Sequence, residues 1–331
     1  MEYSALWLWL VIPFWLLTLV CTEPMPVAAI RAAVVVAVAA VAAADAVAVV
    51  VAKMTNVTTM TKENKSIQTI PQLGIGFRPE LARFIEQQEN IQFVEIVAED
   101  FMHLECIPQA LRDLQKRGVT IIPHSLSLSV GGAEPVAVER IEHLNSLAQY
   151  FDSPFVSDHI AFVRAGNIES GHLLPVRRTE ANLAVVCQNV HSVKAGLSVP
   201  FVLENIATTF DWPDNEMDEA TFVTAVLEQT DSRLLLDVSN LFANSHNLKF
   251  DAIGYLQSLP LERLEYVHMA GGIFKNGLYH DSHCHSLKEQ SLKLLSALKG
   301  ICSVPRVMLE RDDSFPSMAE LVDELEAIAN A

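Results

Sequence analysis

His124, His159, Glu204, Asp237, His268 and Glu310 are the residues best suited to hold a metal, and each stands where a short apolar run gives way to a loop. Imidazoles and carboxylates together form a hard-to-borderline donor set that suits iron, manganese or zinc. No cysteine pair accompanies them, which argues against a structural zinc site. Carboxylates such as Glu204 and Glu310, arising from facing sides of one mouth, can bridge two cations and hold them a few ångströms apart, so a multinuclear site is expected. The run His280-Asp281-Ser282-His283-Cys284-His285 adds further nitrogen and oxygen donors and a thiol above the same mouth. Each residue alone has a plain alternative: His124 bonded to backbone, or Asp237 and Glu204 paired with arginine. The same coincidence at six strand ends is a much poorer explanation.

Such a ring needs elements that bring strand ends together. Apolar runs at 73–77, 93–98, 119–124, 154–159, 199–205, 233–238, 263–269 and 305–310 read as strands of a parallel sheet covered on both faces. Amphipathic stretches at 79–90, 105–117, 134–150, 178–195, 218–229, 250–258, 287–299 and 316–330 read as the helices between them. Strand and helix alternating eight times predict an α/β fold of the TIM-type (β/α)8 class, whose chemistry sits at the C-terminal strand ends. Residues 66–331 are expected to form this one catalytic domain, since a barrel takes about 250 residues. His103, His143, His172 and His191 read as surface or packing residues, and His246 stands in an expected loop after Asp237. Glu99 and Asp100, closing the second strand, are candidate acceptors behind the site. The Gly74-x-Gly76 pair is no nucleotide fingerprint, because Pro79 follows and a third glycine is missing.

Residues 1–65 differ in kind. Residues 5–21 are almost wholly apolar, and 27–52 are an Ala/Val tract broken only by Arg31 and Asp45. A membrane anchor through residues 5–52 is physically allowed. A secretory signal fits less well, since Glu2 and no basic residue precede the apolar run. A translation start at Met54 or Met60 is the third reading. The net charge of −17 lies almost entirely beyond this segment and disfavours nucleic acid as a partner. Five cysteines without framework spacing suggest a reducing compartment, so a cytoplasmic location is expected, with membrane tethering only through the amino-terminal segment.

The strings GIGFRPEL (74–81), VEIVAEDFM (94–102), HSLSLSVGG (124–132), SDHIAF (157–162), LLPVRRTEANL (173–183), ENIATTF (204–210), LLLDVSNLFAN (234–244), VHMAGG (267–272), DSHCH (281–285) and LERDDSFP (309–316) occur in order. Together they resemble the multinuclear non-haem iron oxidative enzymes, the family containing the catalytic subunit that modifies the methanobactin precursor peptide. The resemblance implies a xylose-isomerase-like barrel holding two or three irons, with dioxygen as co-substrate and a cysteine of a ribosomally made peptide as target. It implies His124, His159, Glu204, Asp237, His268, Asp281, His283 and Glu310 as ligands, Asn240 as a further one, and His285 as a ligand or a donor behind the ligands. Glu204 and Glu310 are the candidate bridging carboxylates and, with Arg311, the candidate catalytic residues; Arg311 equally suits a structural salt bridge. Many relatives act with a partner that presents the peptide. The sequence departs from the family pattern at Gly272, where relatives carry histidine, at Cys284, and around His246. These departures bear on substrate and product more than on the metal site.

Three other functions share such a barrel. A metal-dependent sugar isomerase would need a lysine or histidine base beside the metal pair and would turn over without dioxygen. A zinc endonuclease-type hydrolase would use similar ligands, but the acidic balance disfavours DNA. A non-catalytic metal-binding protein would keep the ions and consume no oxygen.

Overall fold

The computed structural model describes residues 70–166 and 168–331. The amino-terminal segment, with its anchor and start-site readings, lies outside the described residues. Among the described residues no helix is long and apolar enough to cross a membrane.

In chain order the strands are β1 (Gln72–Gly76), β2 (Phe93–Val97), β3 (Thr120–His124), β4 (Val156–His159), β5 (Ala161–Ala165), β6 (Ile168–Pro175), β7 (Phe201–Glu204), β8 (Arg233–Asp237), β9 (Leu264–Ala270), β10 (Ile273–Lys275), β11 (Leu278–His280) and β12 (Arg306–Glu310). The α-helices are α1 (Ala82–Gln87), α2 (Gln109–Lys116), α3 (Val138–Phe151), α4 (Glu180–Gly196), α5 (Glu219–Thr230), α6 (Val238–Leu248), α7 (Ala252–Ser258), α8 (Glu289–Ile301) and α9 (Met318–Asn330). Strands β1, β2, β3, β4, β7, β8, β9 and β12 close, in that order, into a parallel barrel. Each barrel strand expected from the sequence is present, with bounds within two residues of the expected ones.

The pleat explains how these strands build both a core and a site. Residues two apart on a strand share a face. Phe93, Ile122, Phe155, Val202, Leu235, Tyr266 and Met308 point inward and form a closed apolar floor inside the barrel. Two residues further along the same strands stand Glu95, His124, Ser157, Glu204, Asp237, His268 and Glu310. A polar layer therefore sits one pleat above the floor, toward the C-terminal mouth. The floor closes because β1 contributes Gly74: a Cβ there would lie 2.4 Å from the Phe93 ring. Residues of opposite parity, such as Ile75, Val94, Ile96, Ile121, Leu203, Leu234, Leu236, Val267 and Leu309, pack outward with the helices in the main core. Burial on both faces is why the strands read as unbroken apolar runs.

Three elements differ from expectation. The segment after Asp237 is helix α6 rather than a loop, because Asp237 Oδ1 caps it by accepting from the Ser239 and Asn240 amides at 2.6 and 2.8 Å. His246 therefore lies on a helix, where its ring packs 5.0 Å from that of Phe274. The hairpins β5–β6 and β10–β11 stand outside the barrel sheet, in the connections after β4 and β9.

Candidate metal centre

The polar layer and the loops above it enclose a cavity of about 520 Å³, lined by His124, His159, Glu204, Asn240, Asp281, His283 and Glu310 among others. Around it the donor atoms fall into overlapping groups: His124–His159–Glu204, Glu204–Asp237–His268, Glu95–His268–Glu310 and Asp237–His283–Glu310. Within each group the donors lie within 4.8 Å of one another, as atoms sharing one ion at bond lengths of about 2.0–2.2 Å would. Glu204, Asp237, His268 and Glu310 each belong to two groups, so the groups form one continuous cluster.

Strand register sets this geometry. His159 is paired with Glu204 across β4 and β7, and Asp237 with His268 across β8 and β9. Glu204 Oε2 lies 3.2 Å from His159 Nε2 and 3.5 Å from His124 Nε2. His268 Nδ1 lies 3.3 Å from Glu204 Oε1 and 3.2 Å from Glu310 Oε2. Yet Glu204 Oε2, His268 Nδ1, Asp237 Oδ2 and Asp281 Oδ1 are buried without a hydrogen-bond partner. A buried polar atom left so costs about 1–3 kcal/mol, and several around one cavity fit a site whose missing partner is a cation.

The electrostatics agree. Burial alone would lower the His159 pKa, but the Glu204 and Asp158 carboxylates outweigh it and raise it to about 9. Burial likewise opposes protonation of His268, and Glu95, Glu204 and Glu310 overcome it, raising its pKa well above the usual range. Against its own burial, Glu310 is held well below the usual carboxylate range by His283 and His268. Asp237 goes the other way: burial and the neighbouring Asp281 and Glu204 carboxylates push it well up. Such a concentration of carboxylates calls for positive charge, and metal ions supply it while displacing protons from the imidazoles.

The loop after β11 closes the cluster. His283 Nε2 contacts Asp281 Oδ2 at 3.1 Å, and Nδ1 contacts Asp312 Oδ2 at 3.0 Å and Glu310 Oε2 at 3.5 Å. The His283 backbone is in the left-handed region, at φ 53°, a conformation that costs an L-residue about 1–2 kcal/mol. Arg78 pairs with Asp312 and approaches Glu310 Oε1 at 3.7 Å, tying the first strand end to the last. Asn240 lines the cavity and donates from Nδ2 to the Asn205 carbonyl, which leaves its amide oxygen as the atom to offer. His285 bonds Ser282 within the loop.

Arg311 is not brought to the cluster, which corrects its expected catalytic placement. The pleat that turns Glu310 inward turns Arg311 outward, where it is 2% exposed and forms a bidentate pair with Glu324 of α9. Glu99 receives Ser125 Oγ and the Leu126 amide, pinning the loop after β3 rather than touching the donors. His172, expected at the surface, is exposed but lines the cavity from β6. Sequence reasoning missed Glu95 and Tyr266. Their signal was a lone polar residue two positions from an inward one: Glu95 beyond Phe93, and Tyr266 before His268.

The family described as "RiPP precursor modification enzyme MbnB/TglH/ChrH" matches residues 72–331. The chain belongs to this family. A fellow protein, a UPF0276 protein of Streptomyces avermitilis, is 44% identical over 264 residues, 77% of this chain and 54% of that protein. The chain thus spans about half the length of that relative. In fold, this MbnB/TglH/ChrH-family chain is similar to the 3-keto-D-glucoside 4-epimerase YcjR from E. coli, with TM-score 0.54 and 13% identity over 78% of this chain and 99% of the other. It is also similar to a xylose isomerase domain protein from Planctomyces limnophilus, with TM-score 0.52 and 10% identity over 80% and 97%. At these identities what is shared is the xylose-isomerase-like barrel.

Proposed function

We propose that this chain is an iron-dependent, dioxygen-using enzyme that oxidatively modifies a cysteine of a ribosomally made peptide. The observation that carries this reading is the continuous donor cluster, in which Glu204 and Glu310 are each shared between groups, in a member of a peptide-modifying family. His124, His159, Glu204, Asp237, Asn240, His268, Asp281, His283 and Glu310 would hold two or three irons, with Glu204 and Glu310 as bridges. Iron bound there supplies redox capacity toward dioxygen and a soft-enough site for a substrate thiolate.

The protein's part is position. Strand ends fix Glu204, Asp237, His268 and Glu310 on a rigid barrel, and Asp312 with Arg78 orients His283 and Glu310. The cavity has room for more than ions: its volume of about 520 Å³ lies in the range of small-ligand sites. Its outer wall combines Leu126, Val163, Leu173 and Ala207 with His172 and Glu169, apolar and polar groups that suit a peptide segment. Among the described residues no lysine lines it, whereas a sugar isomerase would use a lysine or histidine base. A cytoplasmic location and a partner that presents the peptide belong to the same reading.

The test is oxygen uptake by the iron-loaded protein with a cysteine-bearing precursor peptide encoded beside its gene, followed by mass spectrometry of the peptide. The reading expects peptide-dependent uptake and a mass change, both lost in His268→Ala. Metal-dependent turnover of a sugar without oxygen, and no change in the peptide, would overturn it.

A further inference from the structure

Beneath the donor cluster, two of its histidines are joined by a buried hydrogen-bonded chain. His124 Nδ1 lies 2.8 Å from Ser157 Oγ. Ser157 Oγ lies 2.6 Å from the Tyr266 hydroxyl, which donates to Glu95 Oε2 at 2.6 Å. His268 Nε2 reaches the same Glu95 oxygen at 3.0 Å. The members are nearly or wholly sealed from solvent: Glu95 4%, His124 2%, and Ser157, Tyr266 and His268 0% exposed.

Proton counting gives this chain a direction. The Tyr266 hydroxyl gives its one proton to Glu95 Oε2, so the Tyr266 oxygen must accept from Ser157. The single Ser157 proton is thereby used, so Ser157 must accept from a protonated His124 Nδ1. From the other side, His268 Nε2 must carry a proton to reach Glu95. The remaining nitrogens, His124 Nε2 and His268 Nδ1, are the ones that face Glu204, at 3.5 and 3.3 Å. One carboxylate thus fixes the ring orientation of two histidines on different strands and turns both lone pairs into the cavity.

We infer that Glu95, although it stands within reach of the His268 and Glu310 donors, is a positioning residue rather than a ligand, because its Oε2 is engaged by Tyr266 and His268 Nε2. Acting through Tyr266 and Ser157 on one side and directly on the other, it sets the metal-binding tautomer of His124 and His268. The inference rests on the metal-centre reading of the cavity and not on the identity of the metal or on oxygen chemistry. It also assigns Tyr266 a second task. Its ring packs in the barrel floor, 5.2 Å from Phe155, while its hydroxyl carries the His124 branch alone.

The two branches can be cut separately. Tyr266→Phe and Ser157→Ala sever only the His124 branch, and Phe keeps the floor packed; Glu95→Gln removes the acceptor common to both. The probe is zinc alone, titrated into the metal-free full chain against a chromophoric chelator, with ¹⁵N-resolved NMR of the histidine rings in the zinc-loaded protein. The expected result is that Tyr266→Phe and Ser157→Ala weaken the zinc held by His124 about 10- to 100-fold, as loss of a ligand's orienting partner typically does. Both should leave the His268 ring protonated at Nε2, whereas Glu95→Gln weakens both zinc ions and perturbs both rings. Zinc affinities within twofold of wild type in Glu95→Gln, or equal weakening of all ions by Tyr266→Phe, would overturn the inference. A wild-type chain that takes up no zinc would overturn the metal centre and this inference with it, whereas a normal zinc result leaves the oxidative reading to its own test.

Discussion

Arg311 and Glu310 are neighbours with opposite fates, and the contrast shows what one step along a strand does. Glu310 enters the donor cluster, while Arg311 is buried against Glu324 with contacts of 2.8 and 2.9 Å from one guanidinium nitrogen. Removing one partner of a buried pair leaves the other charge uncompensated, at a cost of about 3–5 kcal/mol. Arg311→Ala is therefore expected to lower unfolding free energy in urea by that amount while metal content per folded chain stays unchanged. Lost metal at unchanged stability would instead return Arg311 to the catalytic machinery. Glu219 gives a pH-dependent case, since burial, opposed by Arg178, pushes its pKa from 4.5 up to about 7. The folded chain then keeps a proton that the unfolded chain has released. The stability contribution is full below about pH 4.5 and is lost as pH rises to about 7. Glu219→Gln should remove this slope, so that the variant gains on wild type between these pH values; parallel urea midpoints would contradict it. At this scale the sequence displayed the donors, which interrupt apolar runs at their ends. It hid Glu95, Ser157 and Tyr266, because a polar residue inside a run is visible only once the inward parity of each strand is known.

Among the elements, the eight barrel strands were legible because burial on both faces writes itself as continuous Val, Leu and Ile. The hairpin β5–β6 was not, since β6 is exposed over most of its length and carries no apolar alternation. Its position is nonetheless fixed by the loop after β3. The Gly131 amide donates to the Ala161 carbonyl at 2.8 Å, Ser129 Oγ accepts from the Val163 amide at 3.0 Å, and Arg164 binds the Ser127 and Leu128 carbonyls. The approach is close enough that a Cβ on Gly131 would lie 2.3 Å from Val176 Cγ2 and 2.9 Å from Ala161 backbone. Gly131→Ala is expected to destabilise the fold by about 1–3 kcal/mol, the usual range for overpacking, and to loosen the cavity wall at Leu126 and Ser127 while the ions stay bound. A thermal midpoint equal to wild type would show that the loop and hairpin are not packed as described. Helix α6 escaped for a different reason. Its cap, Asp237, is also a donor of the cluster, so the residue that starts the helix reads as the end of a strand.

For the molecule as a whole, a closed barrel converts a repeating one-dimensional pattern into a ring. Seven of the eight barrel strands add an apolar floor residue and, two positions on, a polar residue, β1 giving Gly74 and Gly76 instead, and closure brings those polar residues to one mouth. The same closure concentrates acid in the interior of a chain already at −17, which favours cations as occupants. The fold and the outline of the donor ring follow from strand ends alone. The loop donors Asp281 and His283 depend on a left-handed turn and on Asp312, features of tertiary contact rather than of pattern. The most direct test of a continuous multinuclear iron cluster is iron content with Mössbauer spectroscopy on protein purified without oxygen, comparing wild type with Glu204→Ala. Two or three irons per chain, with more than one lost when Glu204 is removed because it borders two donor groups, is the predicted result. Zinc or manganese at full occupancy with iron absent even from iron-fed cells, or a single iron untouched by Glu204→Ala, would contradict it.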